Sequence, residues 1–253
     1  MIRDPVVLAK RAGTTVKSAK AFLKSQGVAQ LRQRAVKPSS DSYAPTGGEY
    51  GCWLGDVVYL KDYAGVNDKR SCLLVLMEVN SRYVYVRAMT SPTAKNTAAA
   101  MAEILSQNIV DVGNGVAPIN EIRTDVGSEF LAEFARLLES QGITLTHPEA
   151  YTHERIARLD RFVRTLRGLI GAYFDASGGH RYIDALPDLI ANYNESPHRG
   201  LEPAGKSLSP AEITPALEQK LREHDLARAR AVKTRTDASH RARLSSPSID
   251  APH

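Results

Sequence analysis

Hydrophobic spacing changes period several times along the 253 residues, and each change predicts an element. Pro5–Ala12 reads as a short helix, Gly13 breaks it, and Thr14-Thr15 is placed to cap a second helix that reaches about Ser25, with Gly27 beyond its end. Val16, Ala19, Phe22 and Leu23 give the second helix one apolar stripe, while Lys17, Lys20 and Lys24 face outward. This helix–Gly–helix unit suits either a small DNA-binding helix-turn-helix module or a packing appendage. Pro, Ser and Gly then make residues 38–50 a linker. Beyond it, Trp53–Leu60, Cys72–Val79 and Tyr83–Met89 are rich in Val, Leu and Tyr and are parted by turn signals at Asp62–Lys69 and Asn80–Arg82. That pattern predicts three consecutive antiparallel strands.

The second half alternates. Thr93–Val110 has helical composition, Ile122–Asp125 looks like the end of a short buried strand, Ser128–Gln141 reads as a helix stopped by Gly142, and Ile143–Thr146 as a fifth strand. His153–Phe174 is the longest helical pattern, with Ile156, Leu159, Val163, Leu166, Ile170 and Tyr173 on one stripe, and Tyr182–Asn194 is a further helix. A strand meander followed by alternating helix and strand predicts an α/β fold, a mixed sheet flanked by helices with a small N-terminal helical segment. The expected divisions are a basic helical segment at 1–37, the linker at 38–50, the main domain at 51–215, and a basic helix fraying into a disordered tail at 216–253.

Composition narrows the class. Hydrophobic residues at 43% and charged residues at 24% exclude a disordered chain and a fibre, and two cysteines are too few for a disulfide scaffold. Cys52 and Cys72 fall at opposite ends of the first expected hairpin, so reduced intracellular thiols are expected. No stretch approaches the roughly 20 apolar residues of a membrane helix, and Met1–Asp4 opens no secretory signal. The net charge of +5 conceals an uneven distribution: residues 1–37 carry +8 and residues 219–253 carry +4, leaving −7 for the body between them. Basic arms around an acidic body suit a polyanionic partner at both ends, or serve solubility alone.

Three acids sit in surroundings unlike those of ordinary surface carboxylates. Asp56 interrupts the apolar run Trp53–Leu60, where a charge costs several kcal/mol unless paired or metal-bound. Asp125 ends a strand, just before Gly127, where open sheets collect ligands. Asp160 lies beside the stripe residue Leu159 on the longest helix. Each has a plain alternative: a bulge cap or buried ion pair for Asp56, turn chemistry for Asp125, and a surface pair with Arg161 or Arg164 for Asp160.

Residues 53–213 resemble the catalytic core of retroviral-type integrases and related DDE transposases, which have a ribonuclease H-like fold. The resemblance rests on Trp53-Leu-Gly-Asp56, Val79–Tyr83, Ile122-Arg-Thr-Asp-Val-Gly-Ser-Glu-Phe130, Leu159-Asp-Arg-Phe-Val-Arg-Thr-Leu166, Asn192–His198 and Ser209–Glu212. Asp125 and Asp160 keep the family's spacing between its second and third acids. The basic start, with Phe22–Gln26, further resembles integrases of Maverick/Polinton-type transposons and related viruses.

The resemblance implies a five-stranded ribonuclease H-like sheet and a metal-dependent polynucleotidyl transferase that processes DNA 3′ ends and joins them to a target. Asp56 would bridge two Mg²⁺ ions, with Mn²⁺ able to substitute, while Asp125 and Asp160 would each bind one. Lys95, Arg158, Arg164 and Arg167 would contact DNA phosphates, beside the outward Lys17, Lys20 and Lys24. The third acid is Asp where this branch normally has Glu, shortening its reach by about 1.5 Å, so Glu154 is an alternative third acid, although six residues away on a helix it points elsewhere. No zinc module is expected. The implied partners are double-stranded DNA and further copies of the chain, with no membrane. Nuclear localisation is expected from the resemblance and the basic stretch Arg228–Arg235. The rival expectations are a catalytically inactive, DNA-binding derivative and a nuclease of the same fold that cuts without joining.

Overall fold

The structure, a computed structural model, describes residues 5–25, 49–147 and 153–244. Helices α1 (Pro5–Ala12) and α2 (Val16–Ser25) lie where the spacing places them. Thr15 caps α2, its Oγ1 accepting from the Ser18 amide at 3.1 Å. The expected apolar stripe on α2 is corrected: Ala19 is buried against α1, but Val16 and Phe22 are exposed, and the Leu23 side chain lies outside the described residues. The linker between 26 and 48 also lies outside them.

The main domain is built on one sheet. Strands β1 (Cys52–Tyr59), β2 (Cys72–Glu78) and β3 (Val84–Met89) form an antiparallel meander, and β4 (Glu121–Arg123) and β5 (Thr144–Thr146) add in parallel, giving the order β3-β2-β1-β4-β5. Helices α3 (Ala94–Val112), α4 (Glu133–Ser140), α5 (His153–Ser177) and α6 (Leu186–Asn194) cover it, and α7 (Pro215–Leu244) follows. This is the mixed α/β sheet that the spacing predicts, in the five-stranded, ribonuclease H-like form that the resemblance implies.

Alternation along β1 divides the core in two. Cys52, Leu54 and Val58 pack with Leu159, Phe162, Leu166 and Ile170 of α5, while Trp53 and Val57 pack with Met101 and Ile104 of α3 and Phe134 and Leu138 of α4. β2 is buried at every position, as a strand covered on both faces requires. Cys52 and Cys72 are buried free thiols in opposite layers.

Three boundaries differ from the sequence reading. The expected helix over Ser128–Gln141 is a 3-10 turn at Ser128–Phe130, a break, and then α4. The break lies at Ala132, whose φ of 46° cannot belong to a right-handed helix. The expected helix from Tyr182 begins only at Leu186, because Asn67 Oδ1 accepts from the amides of Tyr182 and Ile183 at 2.7 and 3.1 Å and pins that stretch as a turn. The change of composition at 215–216 is a change of element without an end to packing: Leu221 of α7 joins Leu201 and Ile213 in a small apolar cluster, and Glu218 and Asp225 are buried. The tail beyond 244 lies outside the described residues.

Candidate active site

β1 and β4 run parallel in a register that ends at Leu54 opposite Arg123; Asp56 and Asp125 each follow that pair by two residues, near enough for the Asp125 charge to act on Asp56. By alternation Asp56 shares the face of Leu54 and Val58, the side covered by α5. Its Oδ1 accepts from the Val57 amide at 2.7 Å, which fixes the carboxyl orientation. Burial, joined by the negative charges of Asp125, Asp160 and Glu129, pushes the Asp56 carboxyl up to about 6 against the opposing pull of that amide. Asp160, 35 residues beyond Asp125 in sequence, thus lies within electrostatic reach of the first acid.

Asp125 is likewise raised, by burial first and by Glu129 next, with His147 opposing. Its backbone carbonyl oxygen is gripped from two sides, by the Thr124 hydroxyl at 2.9 Å and by His147 Nδ1 at 3.1 Å, so the ends of β4 and β5 are tied together beneath the carboxyl. Glu129 folds back over this turn. A Cβ on Gly127 would lie 2.7 Å from the Glu129 carboxyl carbon, so glycine is what leaves room for the fold-back. Sequence reasoning gave no role to Glu129 or His147. The signal for Glu129 was present, an acid two residues past the glycine that follows Asp125, whereas His147 is brought in only by the β4–β5 pairing.

The remaining expected residues divide by exposure. Asp160, Arg164 and Arg167 are exposed on α5, where Arg164 Nε donates to the Asp160 backbone carbonyl at 3.3 Å, and Lys95 is exposed in the first turn of α3. Lys17 and Lys20 are exposed on α2, and the side chains of Lys24 and Glu154 lie outside the described residues. Arg158 is a correction. Its guanidinium is buried, donating to the Val79 carbonyl and paired with Asp225 of α7, so its charge is spent inside the protein and does not face a DNA backbone.

Among the described residues no three His, Cys, Asp or Glu side chains converge closely enough to form a ready-made metal cage. The donor set nevertheless fits a hard divalent cation. It is all carboxylate oxygen, and burial first, then neighbouring carboxylates, raises both Asp56 and Asp125, a cost that a cation would relieve.

Residues 48–153 match the integrase core domain family. That match takes in Asp56, Asp125, Glu129 and His147 and ends before Asp160. In overall fold the chain is similar to the catalytic core domain of BIV integrase, with a TM-score of 0.51 and 19% identity over 67% of this chain and 97% of that one. It is also 28% identical over 144 residues to a transposon-derived protein of Caenorhabditis elegans, a stretch covering 56% of this chain and 46% of the relative, so the chain spans less than half of that relative's length. Residues 48–153 are thus similar to an integrase core domain, and the fold as a whole is that of a retroviral integrase catalytic core.

Proposed function

We propose that the chain is a metal-dependent DNA strand transferase that nicks the 3′ ends of its element and joins the freed hydroxyls to target DNA. The observation that supports this reading most is that Asp56 of β1 and Asp125, just past β4, each follow the paired Leu54 and Arg123 by two residues, with Asp125, Asp160 and Glu129 in electrostatic reach of Asp56. Asp56, Asp125 and Asp160 would hold two Mg²⁺ ions, or Mn²⁺ in their place. Such ions, when bound, supply charge neutralisation at the scissile phosphate and acidify the attacking water or 3′-hydroxyl.

The chain's own residues supply position and exclusion. Asp56, held at one oxygen by the Val57 amide, offers the other toward the reacting group from a site partly shielded from water. His147 and Thr124 hold the backbone of Asp125, so its carboxyl meets Asp56 without reorganising. Arg164, Arg167 and Lys95 bind DNA phosphates beside the acids, and Lys17, Lys20 and Lys24 add sequence-tolerant affinity. Concerted joining of two ends calls for at least two copies of the chain on double-stranded DNA. Nuclear localisation follows from the same reading.

The test is product analysis on labelled duplex ends with Mg²⁺ and with Mn²⁺, beside D125N. Wild type gives nicked and joined species and D125N gives neither. Equal signal from both proteins defeats the reading, and nicks without joined species identify a nuclease. One observation favours a second reading, a DNA-binding protein without catalysis: the short, exposed Asp160 completes no close cage of three among the described residues. Duplex binding with no nicking in either metal is its outcome.

A further inference from the structure

A cavity of about 500 Å³ opens between α5 and the turn after α6, on residues that include none of the strand acids or Asp160. Four arginines line it, Arg82, Arg158, Arg161 and Arg199, and no acidic residue does. Arg158 is neutralised by Asp225, so three positive charges face one cavity without a lining counter-charge. Like charges gathered in a recess are costly unless an anion joins them.

Arg82 is built into this place at some expense. It closes the β2–β3 turn in the left-handed region, at φ 64°, a conformation that costs a non-glycine residue about 1 kcal/mol or more. Its Nη2 donates to the Gly200 carbonyl at 3.2 Å, and its Nε is buried without a partner. A Cβ at Gly200 would fall 1.8 Å from Arg82 Nη1, so only glycine there leaves the guanidinium its position. Burial, with Arg158 and Arg161 adding, lowers the Arg82 pKa to about 10, the mark of a cation short of counter-charge.

We infer that this cavity binds a small phosphorylated molecule, a phosphomonoester or short polyphosphate, through the guanidiniums of Arg82, Arg161 and Arg199. A phosphate group at neutral pH carries nearly two negative charges and several strong acceptors, which answers three guanidiniums better than a single carboxylate does. The volume suits a small ligand. Arg82, half-buried in the wall of the recess, separates this site from the exposed Arg164 and Arg167.

The experiment is isothermal titration of the full chain with sodium pyrophosphate in EDTA, against sodium chloride at matched ionic strength. The chelator keeps the carboxylate site silent, so the result does not depend on the strand-transfer reading. Saturable binding at one site is expected, weakened about tenfold or more by each of R161Q and R199Q, both at exposed positions. R82K, which keeps the charge but loses the planar fork, weakens it similarly, with circular dichroism checking the fold. If R82K fails to fold, the two exposed variants decide. Absence of saturable binding in wild type, or unchanged affinity in R161Q and R199Q, overturns the proposal. So does displacement of pyrophosphate by a short duplex at equal phosphate concentration, which would place the cavity on a DNA path.

Discussion

Asp56 occupies a strand position that an apolar residue would fill at no electrostatic cost, and the chain instead places there a carboxylate that burial and three neighbouring acids all oppose. On the proposed function, such a group is retained for the cation it would hold, at the expense of the unliganded fold. D56N keeps the shape and places no charge in that buried position, so in EDTA near neutral pH it should be more stable than wild type by about 1–2 kcal/mol, roughly what ionising a carboxyl pushed up to about 6 by burial and neighbouring acids costs after solvent screening. It should also lose the rise in melting temperature that Mn²⁺ gives the wild type. Thermal melts with and without Mn²⁺ check both, and a D56N protein less stable than wild type in EDTA would show Asp56 to be a structural residue. Arg158 teaches the opposite lesson. On the helix it looks like its neighbours Arg161 and Arg164, and only Asp225, 67 positions away, turns it into an internal ion pair.

Elements were legible where local pattern and tertiary demand agree. β1, β2 and β3 fall within a residue or two of their expected bounds because apolar runs flanked by turn residues admit few other uses. The Tyr182 turn was not legible, because the side chain that pins it comes from Asn67, and neither was the packing of α7, which reads from composition as a fraying basic helix. α7 is fastened partly by a carboxyl pair. Glu78 at the end of β2 and Glu218 of α7 are buried together, with Asn80 Nδ2 donating to both. Burial first, then the neighbouring charge of Glu218, holds the Glu78 proton on well above the ordinary carboxyl range. The folded state therefore binds a proton that the unfolded chain has released, so stability is greatest in acid and declines as pH rises from the ordinary carboxyl range into the alkaline region. Melting temperature should fall between about pH 4.5 and 8, and E218Q, which gives Glu78 an amide donor in place of a second acid, should flatten the fall. An E218Q slope equal to that of wild type would remove the pair from the account of how α7 is held.

For the whole molecule, the separation of charge is the feature that sequence conveyed most completely. The acidic centre holds the carboxylate site and the basic N-terminal segment carries exposed lysines on α2, so DNA affinity should fall steeply with salt. Replacing Lys17 and Lys20 together by Gln should weaken duplex binding for all sequences alike. It should also lower the slope of log affinity against log salt by about 2, the value for two lost phosphate contacts. An unchanged slope would make α1–α2 a packing unit. Of the candidate carboxylate site, the sequence offered three acids and their spacing, and the structure puts Asp125 and Asp160 within electrostatic reach of Asp56. Glu129 and His147 were not legible, because their roles depend on a turn and a strand pairing that close only in the folded chain.

The claim on which the rest depends is that acids from β1, the β4 exit and α5 act as one site, and Asp160, exposed and one carbon–carbon bond shorter than the usual glutamate, is its weakest member. Strand transfer by D160N, beside wild type and D125N in Mn²⁺, tests it most directly. The account predicts that D160N loses joined product as completely as D125N, by about a hundredfold or more. Wild-type joining by D160N with D125N inactive would contradict it, because the third acid would then come from elsewhere in the chain.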